Sequence, residues 1–223
     1  MKGITDIMDL IKMTDIVPMT ETVIKIEIKK NEFVGIYGAY SEDFINRIAT
    51  IKKINQGNYI FNGISISEEN KDLSYIRNQF IGIVSEFCPL IKNRTVLENV
   101  ALPFIFNREV KNKKIDYMAQ DALELIDILT LSHLRVVELS EVERVLVLLA
   151  RAIVNQPKVL VIGNIIERLE TYESVRVLEK LKLLHTQGYT IIIDATYDLA
   201  RTYCEKIINI GGEVENEENI QIN

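Results

Sequence analysis

The sequence predicts an α/β fold: a parallel sheet core with an inserted all-helical subdomain. Near-continuous apolar runs of the β type alternate with helical patterns in both halves of the chain, at 33–50 and again at 158–210. Strands of that kind are buried on both faces, which is typical of a parallel sheet covered by helices. Between these two regions the apolar residues recur at helical spacing. We therefore expect one domain over 1–223, with a core at 1–86 and 151–212, a helical subdomain at about 87–150 and an acidic tail at 213–223.

Size, charge and cysteine usage narrow the class of protein. A chain of 223 residues can bury the core of one α/β domain. Its net charge of −6, with no basic cluster, argues against nucleic-acid binding. Cys88 and Cys204 are far apart and in no metal-ligand spacing, so we expect reduced thiols in the cytoplasm. No leader and no apolar run of membrane-spanning length is evident, so any membrane association is expected to come through a partner.

The first part of the chain has the period of strands. Residues 1–21 show no clear pattern, whereas 22–29 alternate strictly, as a half-buried strand does. Asn62-Gly63 closes a predicted hairpin. A helix at 67–79 and a buried strand at 80–85 follow.

The middle of the chain has the period of helices. A capping box at 95–98 starts a short helix that ends near Pro103, and a second one at 140–143 starts a helix that stops before Pro157. Between them the apolar residues of 115–129 recur at three- and four-residue steps, which predicts a long amphipathic helix.

Strands and helices alternate again after Pro157. We expect the following elements: strands at 158–163, 190–194 and 206–210, and helices at 171–185 and 197–205, with Gly188 just beyond the end of the first helix.

The strand, glycine turn and helix at 33–50 have the layout of a phosphate-binding loop. Such a loop reads G-x-x-x-x-G-K-[ST], because glycine lets backbone N–H groups close on the phosphates, lysine reaches their outer oxygens and the hydroxyl holds Mg²⁺. Counting from Gly38, the last three places hold Asp43, Phe44 and Ile45. The two apolar side chains either fill the phosphate cavity or simply pack in the core, and both alternatives predict a closed loop.

Two carboxylates, Glu42 and Asp43, stand at the start of the helix that follows this loop. A phosphate would otherwise meet the positive end of the helix dipole there. We therefore expect the protein's own side chains to supply the negative charge, with Ser41 as the N-cap.

Several stretches, in order and at the expected spacings, resemble the ATP-binding subunits of ABC transporters. They are FVGIYG, IGIVSEFCPLIKNRTVLENVALP at 81–103 and ARAIVNQP at 150–157. The resemblance covers about 22–212 and is greatest to the branch that serves lipoprotein release, macrolide export and the FtsE–FtsX pair. It implies the P-loop NTPase-like fold of ABC ATPases.

The functional positions of the family are carried over one at a time. They fall on Gly38, Asp43, Phe44 and Ile45 in the phosphate loop, on Glu86 for the glutamine that links metal and water to the transporter, on Ser140 in the signature, on Gly163 and Asn164 for the paired acids, and on Ala195 for the switch histidine. Glu86 could still touch a metal. Ser140 either meets a partner's γ-phosphate or serves only as an N-cap.

This set of residues predicts a catalytically inactive subunit, without ATP hydrolysis, metal or other cofactor. Each charge-assisted phosphate contact is worth roughly 1.5–3 kcal/mol, and a general base contributes roughly 10²–10⁴ in rate. Phe44 replaces the lysine and Asn164 cannot act as a base. The alternative is a divergent ABC transporter ATP-binding protein that still binds or hydrolyses ATP with Mg²⁺.

The segment 81–103 keeps the family pattern, and in ABC transporters it lines the groove that receives the permease's coupling helix. The candidates for that contact are Phe87, Pro89, Leu90, Ile91, Val96, Leu97 and Val100. The other interpretation is that they only pack the subdomain.

The resemblance implies an integral-membrane ABC permease of the FtsX, macrolide-export or lipoprotein-release type, on which the inactive subunit is expected to dock as a structural or regulatory partner. It places the chain in the cytoplasm, on the inner face of the cell membrane, through that partner. A homodimer or a pair with another ABC ATPase subunit stays open, as does a scaffold unrelated to transport. Nucleic acid is not expected as a partner.

Overall fold

The computed structural model describes residues 9–16, 23–54, 57–66, 73–104 and 112–211. The predicted acidic tail at 213–223 and the first residues of the predicted helix, 67–72, lie outside this part of the chain. In chain order the elements are β1 (Asp9–Ile16), β2 (Val23–Lys29), β3 (Phe33–Tyr37), α1 (Ser41–Ile48), β4 (Asn58–Phe61), β5 (Ile64–Ser65), α2 (Leu73–Phe80), β6 (Ile81–Val84), α3 (Val96–Val100), α4 (Asn112–Leu125), α5 (Glu141–Ile153), β7 (Val159–Ile162), α6 (Thr171–Thr186), β8 (Thr190–Asp194), α7 (Tyr197–Tyr203) and β9 (Lys206–Asn209).

The centre of the fold is a five-stranded sheet in the order β6-β7-β8-β3-β9, in which every neighbouring pair is parallel. Its strands are near-continuous runs of apolar residues, and β7 and β8 are buried along their whole length. Such strands require cover on both faces. The prediction of a parallel sheet with helices is confirmed.

A second sheet, which the sequence did not predict, is antiparallel and runs in the order β2-β1-β4-β5. The hairpin between β4 and β5 is as expected, because Asn62 and Gly63 both adopt positive φ, 47° and 78°. Strand β1 falls in the stretch that showed no pattern. Its pairing with β2 shifts register between Asp9 and Ile11, so Leu10 and Ile11 are both buried and strict alternation is broken.

Between β6 and β7 the described elements are all helical. Both predicted capping boxes form: at Thr95 the side-chain oxygen accepts from the Glu98 amide at 3.2 Å, and Ser140 does the same with Glu143 at 3.4 Å. The long helix predicted at 115–129 ends earlier, at Leu125, because Asp127 has a φ of 65° and cannot continue it.

Two clusters of buried apolar residues cover the two faces of the parallel sheet. One lies between the sheet and α3, α4, α5 and α6, with α7 packed against β3. The other lies between the opposite face, α1, α2 and the antiparallel sheet. Across the described ranges, no helix has both the length and the apolar character needed to cross a membrane.

Candidate functional site

The carboxyl ends of the parallel strands meet at one edge of the sheet, next to the start of α1. Register brings Ile36 opposite Asp194, and pairs Ile162 with both Val84 and Ile193. The next residues, Ser85, Gly163 and Asp194, therefore lie side by side on the face that carries α1. Ligands of open α/β sheets bind in this position.

The loop between β3 and α1 turns at Gly38, whose φ is 111°. A Cβ added there would approach the Asn209 side-chain oxygen to 2.6 Å, so only glycine fits. The Ala39 amide donates to the Gly211 carbonyl at 2.8 Å and the Tyr40 amide to the Ile210 carbonyl at 3.0 Å. The loop is thus fastened to the segment that follows β9.

The N-cap of α1 is Tyr40, without a side-chain cap, and not Ser41 as the sequence suggested. Ser41 is the first residue of the helix, and it forms a side-chain hydrogen bond with Asp194. The hydroxyl is therefore directed to a strand end and not to the helix's own amides.

Phe44 and Ile45 are 3% and 2% exposed and belong to the cluster between α1 and the sheet. The loop position is closed, because both side chains are packed in this part of the core. Asp43 is salt-bridged to Lys52, with Nζ and Oδ1 2.8 Å apart, and to the buried Arg47. The carboxylate at the helix start is therefore neutralised by cations of α1 and of the chain just beyond it.

Asp194, at the end of β8, is the polar group most deeply placed at this edge. It is 4% exposed, and its Oδ2 atom is buried without a hydrogen-bond partner. Burial is the main cause that raises the pKa of its carboxyl to about 6, and the charges of Glu167 and Glu42 add to it, while the hydrogen bond with Ser41 lowers it. Sequence analysis missed this residue, although a single acid closing an apolar strand was the available signal.

The other strand-end positions assigned by resemblance lie around Asp194. The Gly163 amide donates to the Val84 carbonyl at 2.9 Å and the Ala195 amide to the Ile36 carbonyl at 3.0 Å. Asn164 has a buried side-chain oxygen with no partner. Glu86 is ion-paired with Arg168, and both are about half exposed.

Ser140 is the N-cap of α5, and its hydroxyl lies 2.8 Å from a carboxylate oxygen of Glu143. The other end of α5 lies against the start of β6, where a Cβ added at Gly82 would meet the Ala152 carbonyl oxygen.

The segment proposed for a partner presents some of its apolar residues and buries others. Phe87 is 54% and Ile91 43% exposed, whereas Leu90 is half-buried against the core. Val96 and Val100 are completely buried and pack α3 into the core, so in this structure they are not on the surface that a partner would meet.

The remaining two residues of the proposed contact differ in exposure. Pro89 is exposed, and Leu97 is half-buried against the core.

Two polar residues that sequence reasoning did not single out hold this segment in place. The Asn99 side chain accepts from the Ile91 amide at 2.7 Å and donates to the Ile91 carbonyl at 3.1 Å. Arg151 donates to the Pro89 carbonyl at 3.0 Å and to the Cys88 carbonyl. The exposed apolar side chains therefore stand on a loop that is fixed from both sides.

No group of three or more histidine, cysteine, aspartate or glutamate side chains suited to a metal ion occurs in the described ranges. Cys88 and Cys204 are free thiols, the first half-buried and the second buried.

The sequence matches the family model of ABC transporters over residues 23–164. The ABC transporter ATP-binding protein YvrO of Bacillus subtilis strain 168 is 32% identical over 175 residues, which cover 76% of each chain. The macrolide export ATP-binding/permease protein MacB of Campylobacter jejuni is 29% identical over 182 residues, which cover 78% of this chain but 28% of MacB.

The structure resembles a solved one: the dimeric post-hydrolysis state of the ATP-binding cassette MJ0796 bound to ADP and Pi. The TM-score is 0.76 at 26% sequence identity, over 94% of this chain and 98% of that one.

These matches contradict two predictions, that the chain is not an enzyme and that it takes no cofactor. The relatives are named ATP-binding proteins, and the solved neighbour holds the products of ATP hydrolysis. The prediction weighed the missing lysine too heavily. Backbone amides at a helix N-terminus and a metal ion also bind phosphates, and neither contribution depends on that side chain.

Proposed function

Because the chain belongs to the ABC transporter family, we propose that it is a divergent ATP-binding subunit of an ABC transporter, which binds or hydrolyses ATP and docks on a membrane permease. The observation that carries the proposal is the family match over 23–164, which takes in the phosphate loop, the segment before the helical part and the end of β7. A fold shared with an ADP-bound cassette supports it.

The divergence lies in the groups that would hold the nucleotide. The loop offers no lysine: Phe44 and Ile45 are buried in the core, and the nearby cations Arg47 and Lys52 pair with Asp43. These residues fit a triphosphate poorly. The metal ion is different, since the buried and unpartnered Oδ2 atom of Asp194 is an oxygen ligand of the kind that Mg²⁺ prefers. We expect weaker ATP binding than a lysine-containing loop provides, with a large share of it dependent on the metal.

The proposed permease contact is the surface formed by Phe87, Pro89 and Ile91, with Leu90 and Leu97 at its base. Exposed apolar side chains on a rigid loop suit the apolar face of a helix. The relative MacB is named an ATP-binding/permease protein. We propose a separate permease of the FtsX, macrolide-export or lipoprotein-release type for this chain, which would bring it to the inner face of the cell membrane.

The same proposal includes the organisation of the chain and its self-association. The helical elements at 87–150 form the subdomain that carries the permease contact, and the sheet carries the nucleotide. The MJ0796 cassette is dimeric. A homodimer, or a pair with another ABC ATPase subunit, is the corresponding arrangement here.

Nucleotide binding is tested by titrating Mg-ATP into the pure protein by calorimetry and by measuring phosphate release. We expect saturable binding, and any turnover should fall with Glu86→Ala. Glu124→Ala, at an exposed position of α4, is the matched control. No saturable binding up to millimolar Mg-ATP, together with no phosphate release, would overturn the ATP part of the proposal.

Docking is tested by purifying the chain from membranes together with its permease. We expect Phe87→Ser with Ile91→Ser to release the chain into the soluble fraction. Tyr172→Ser removes an aromatic ring that is 76% exposed on α6 and should change nothing. Recovery of the wild-type chain only as free protein, with such permeases present, contradicts the docking part.

A further inference from the structure

Asp194 is a carboxylate that the fold buries without fully pairing it. It is 4% exposed, it has a hydrogen bond with Ser41, and its Oδ2 atom has no partner. Burying an unpaired carboxylate oxygen is costly, and nearly all such groups in native proteins find a partner. A bound cation or a hydrogen-bond donor at this position would therefore stabilise the carboxylate.

A side chain at position 163 would lie next to Asp194, on the adjacent strand. Ile162 pairs with Ile193, so the next residues, Gly163 and Asp194, are neighbours on adjacent strands, about 5 Å apart. A Cβ added at Gly163 would meet Ser85 at 3.1 Å, and its nearest atoms all belong to Val84 and Ser85. The strand β7 thus contributes no carboxylate here, while its neighbour β8 does.

The charges around Asp194 also favour a cation. Glu42, in the first turn of α1, and Glu167, after β7, both act on its carboxyl by repulsion. Among the described residues, Arg168 is ion-paired with Glu86, and Arg47 and Lys52 are ion-paired with Asp43. The charges that act on the Asp194 carboxyl are those of Glu42 and Glu167, and a bound cation would offset their repulsion.

We propose that Asp194 binds the divalent cation of a metal–nucleotide complex in this chain, supplying from β8 the carboxylate that Gly163 does not supply from β7. The ion is of the Mg²⁺ or Mn²⁺ class, which takes one or two protein carboxylates and completes its shell with waters and phosphates. This inference rests on the proposed ATP binding, and it explains how metal can be held without a cluster of three acidic or histidine ligands.

The test measures metal binding and nucleotide binding separately. Mn²⁺ binding to the full chain is measured by electron paramagnetic resonance, with and without ATP, and ATP binding is measured separately in EDTA. We expect Asp194→Asn to weaken Mn²⁺ binding by about 10- to 100-fold, the loss of one charge-assisted contact. ATP binding in EDTA should not change.

A second variant restores the carboxylate on the other strand. Gly163→Asp in the Asp194→Asn background should recover Mn²⁺ binding, since the new side chain needs only a small shift of Ser85. Asp198→Asn, an exposed aspartate four residues further along, is the matched control and should bind Mn²⁺ as the wild type does. Thermal unfolding of each variant establishes that it is folded.

The outcomes are distinct. ATP binding with Mn²⁺ affinity equal in wild type and Asp194→Asn overturns the inference and leaves the proposed function standing. No ATP binding under any condition overturns the proposed function, and the Mn²⁺ titration without ATP then decides on Asp194. No Mn²⁺ binding with or without ATP overturns the inference outright.

Discussion

The guanidinium of Arg151, near the end of α5, donates a hydrogen bond of 3.0 Å to the carbonyl oxygen of Pro89, 62 residues earlier in the chain. A second donation from the same group reaches the Cys88 carbonyl. Burial of the guanidinium lowers the pKa of Arg151, yet an arginine stays charged under all ordinary conditions. One cation thus ties the loop that carries the exposed apolar side chains to the helix beneath it.

Arg151→Met should free this loop. Two carbonyls lose a charged donor, which costs about 1–3 kcal/mol of the free energy of unfolding. Urea unfolding measures the loss, and amide hydrogen exchange should rise at 86–91. Arg151→Lys keeps one donor and should show a smaller effect.

Arg176→Met, at an exposed position on α6, is the control for loss of an arginine. Equal behaviour of Arg151→Met and Arg176→Met in both measurements would show that the loop does not depend on Arg151.

Phe44 gives a prediction about the loop position itself. Phe44→Ala should lower the free energy of unfolding by about 3–5 kcal/mol, because the side chain is 3% exposed and packs between α1 and the sheet. Phe44→Leu should cost less, since most of the volume is kept. Chemical denaturation measures both.

Tyr172→Ala, which removes an exposed ring, should change stability by no more than about 0.5 kcal/mol. If Phe44→Ala is equally mild, the side chain is not a core residue and the phosphate-loop position is open.

The parallel sheet was predictable because its strands are almost purely apolar and are separated by helices of regular period. The antiparallel sheet was only half predictable. The regular alternation of β2 was visible in the sequence, but the irregular register at Leu10 and Ile11 concealed β1. A strand that buries two successive residues cannot be recognised by a period of two.

The candidate site shows a different limit. The residues at 43, 44 and 45 were found by counting along one loop, whereas Asp194 is placed beside Gly163 only by strand pairing. Local sequence does not specify which strands are neighbours. Likewise Val96 and Leu97 are adjacent in the sequence, but the fold buries the first completely and the second only partly.

The two thiols should differ strongly in reactivity. Burial raises the pKa of Cys204 to about 12, with a further contribution from Glu205, and thiolate is the reactive form. Cys88 is half-buried. A chromogenic disulfide reagent should therefore label Cys88 in the native protein and Cys204 only after denaturant is added.

Single serine variants assign the two phases of this reaction. Cys88→Ser should abolish the native phase and Cys204→Ser should keep it. Rapid native labelling of Cys88→Ser would mean that the interior around Cys204 opens readily.

The last prediction concerns pH. The carboxyl of Asp194 has a pKa of about 6 in the folded chain against 3.8 for an exposed aspartate, so the folded state binds more protons between these values. The contribution of Asp194 to the free energy of unfolding should therefore be highest at the acidic end of this window and fall as pH rises through 6. A difference of one pKa unit corresponds to about 1.4 kcal/mol. The titration of Asp194 therefore changes the free energy of unfolding by an amount on the order of 3 kcal/mol.

Asp194→Asn removes this titration, so its stability relative to the wild type should increase between pH 4 and pH 7. Urea unfolding at several pH values in EDTA measures the difference in the free energy of unfolding between the two proteins. The contributions of the carboxylates that both chains share cancel in this difference. Asp198→Asn is the control, since its aspartate is exposed. A constant difference between wild type and Asp194→Asn across this range would mean that the buried carboxyl titrates as an exposed one does. In that case neither burial nor the charges of Glu42 and Glu167 would destabilise the carboxylate, and the electrostatic reason for a cation beside Gly163 would be lost.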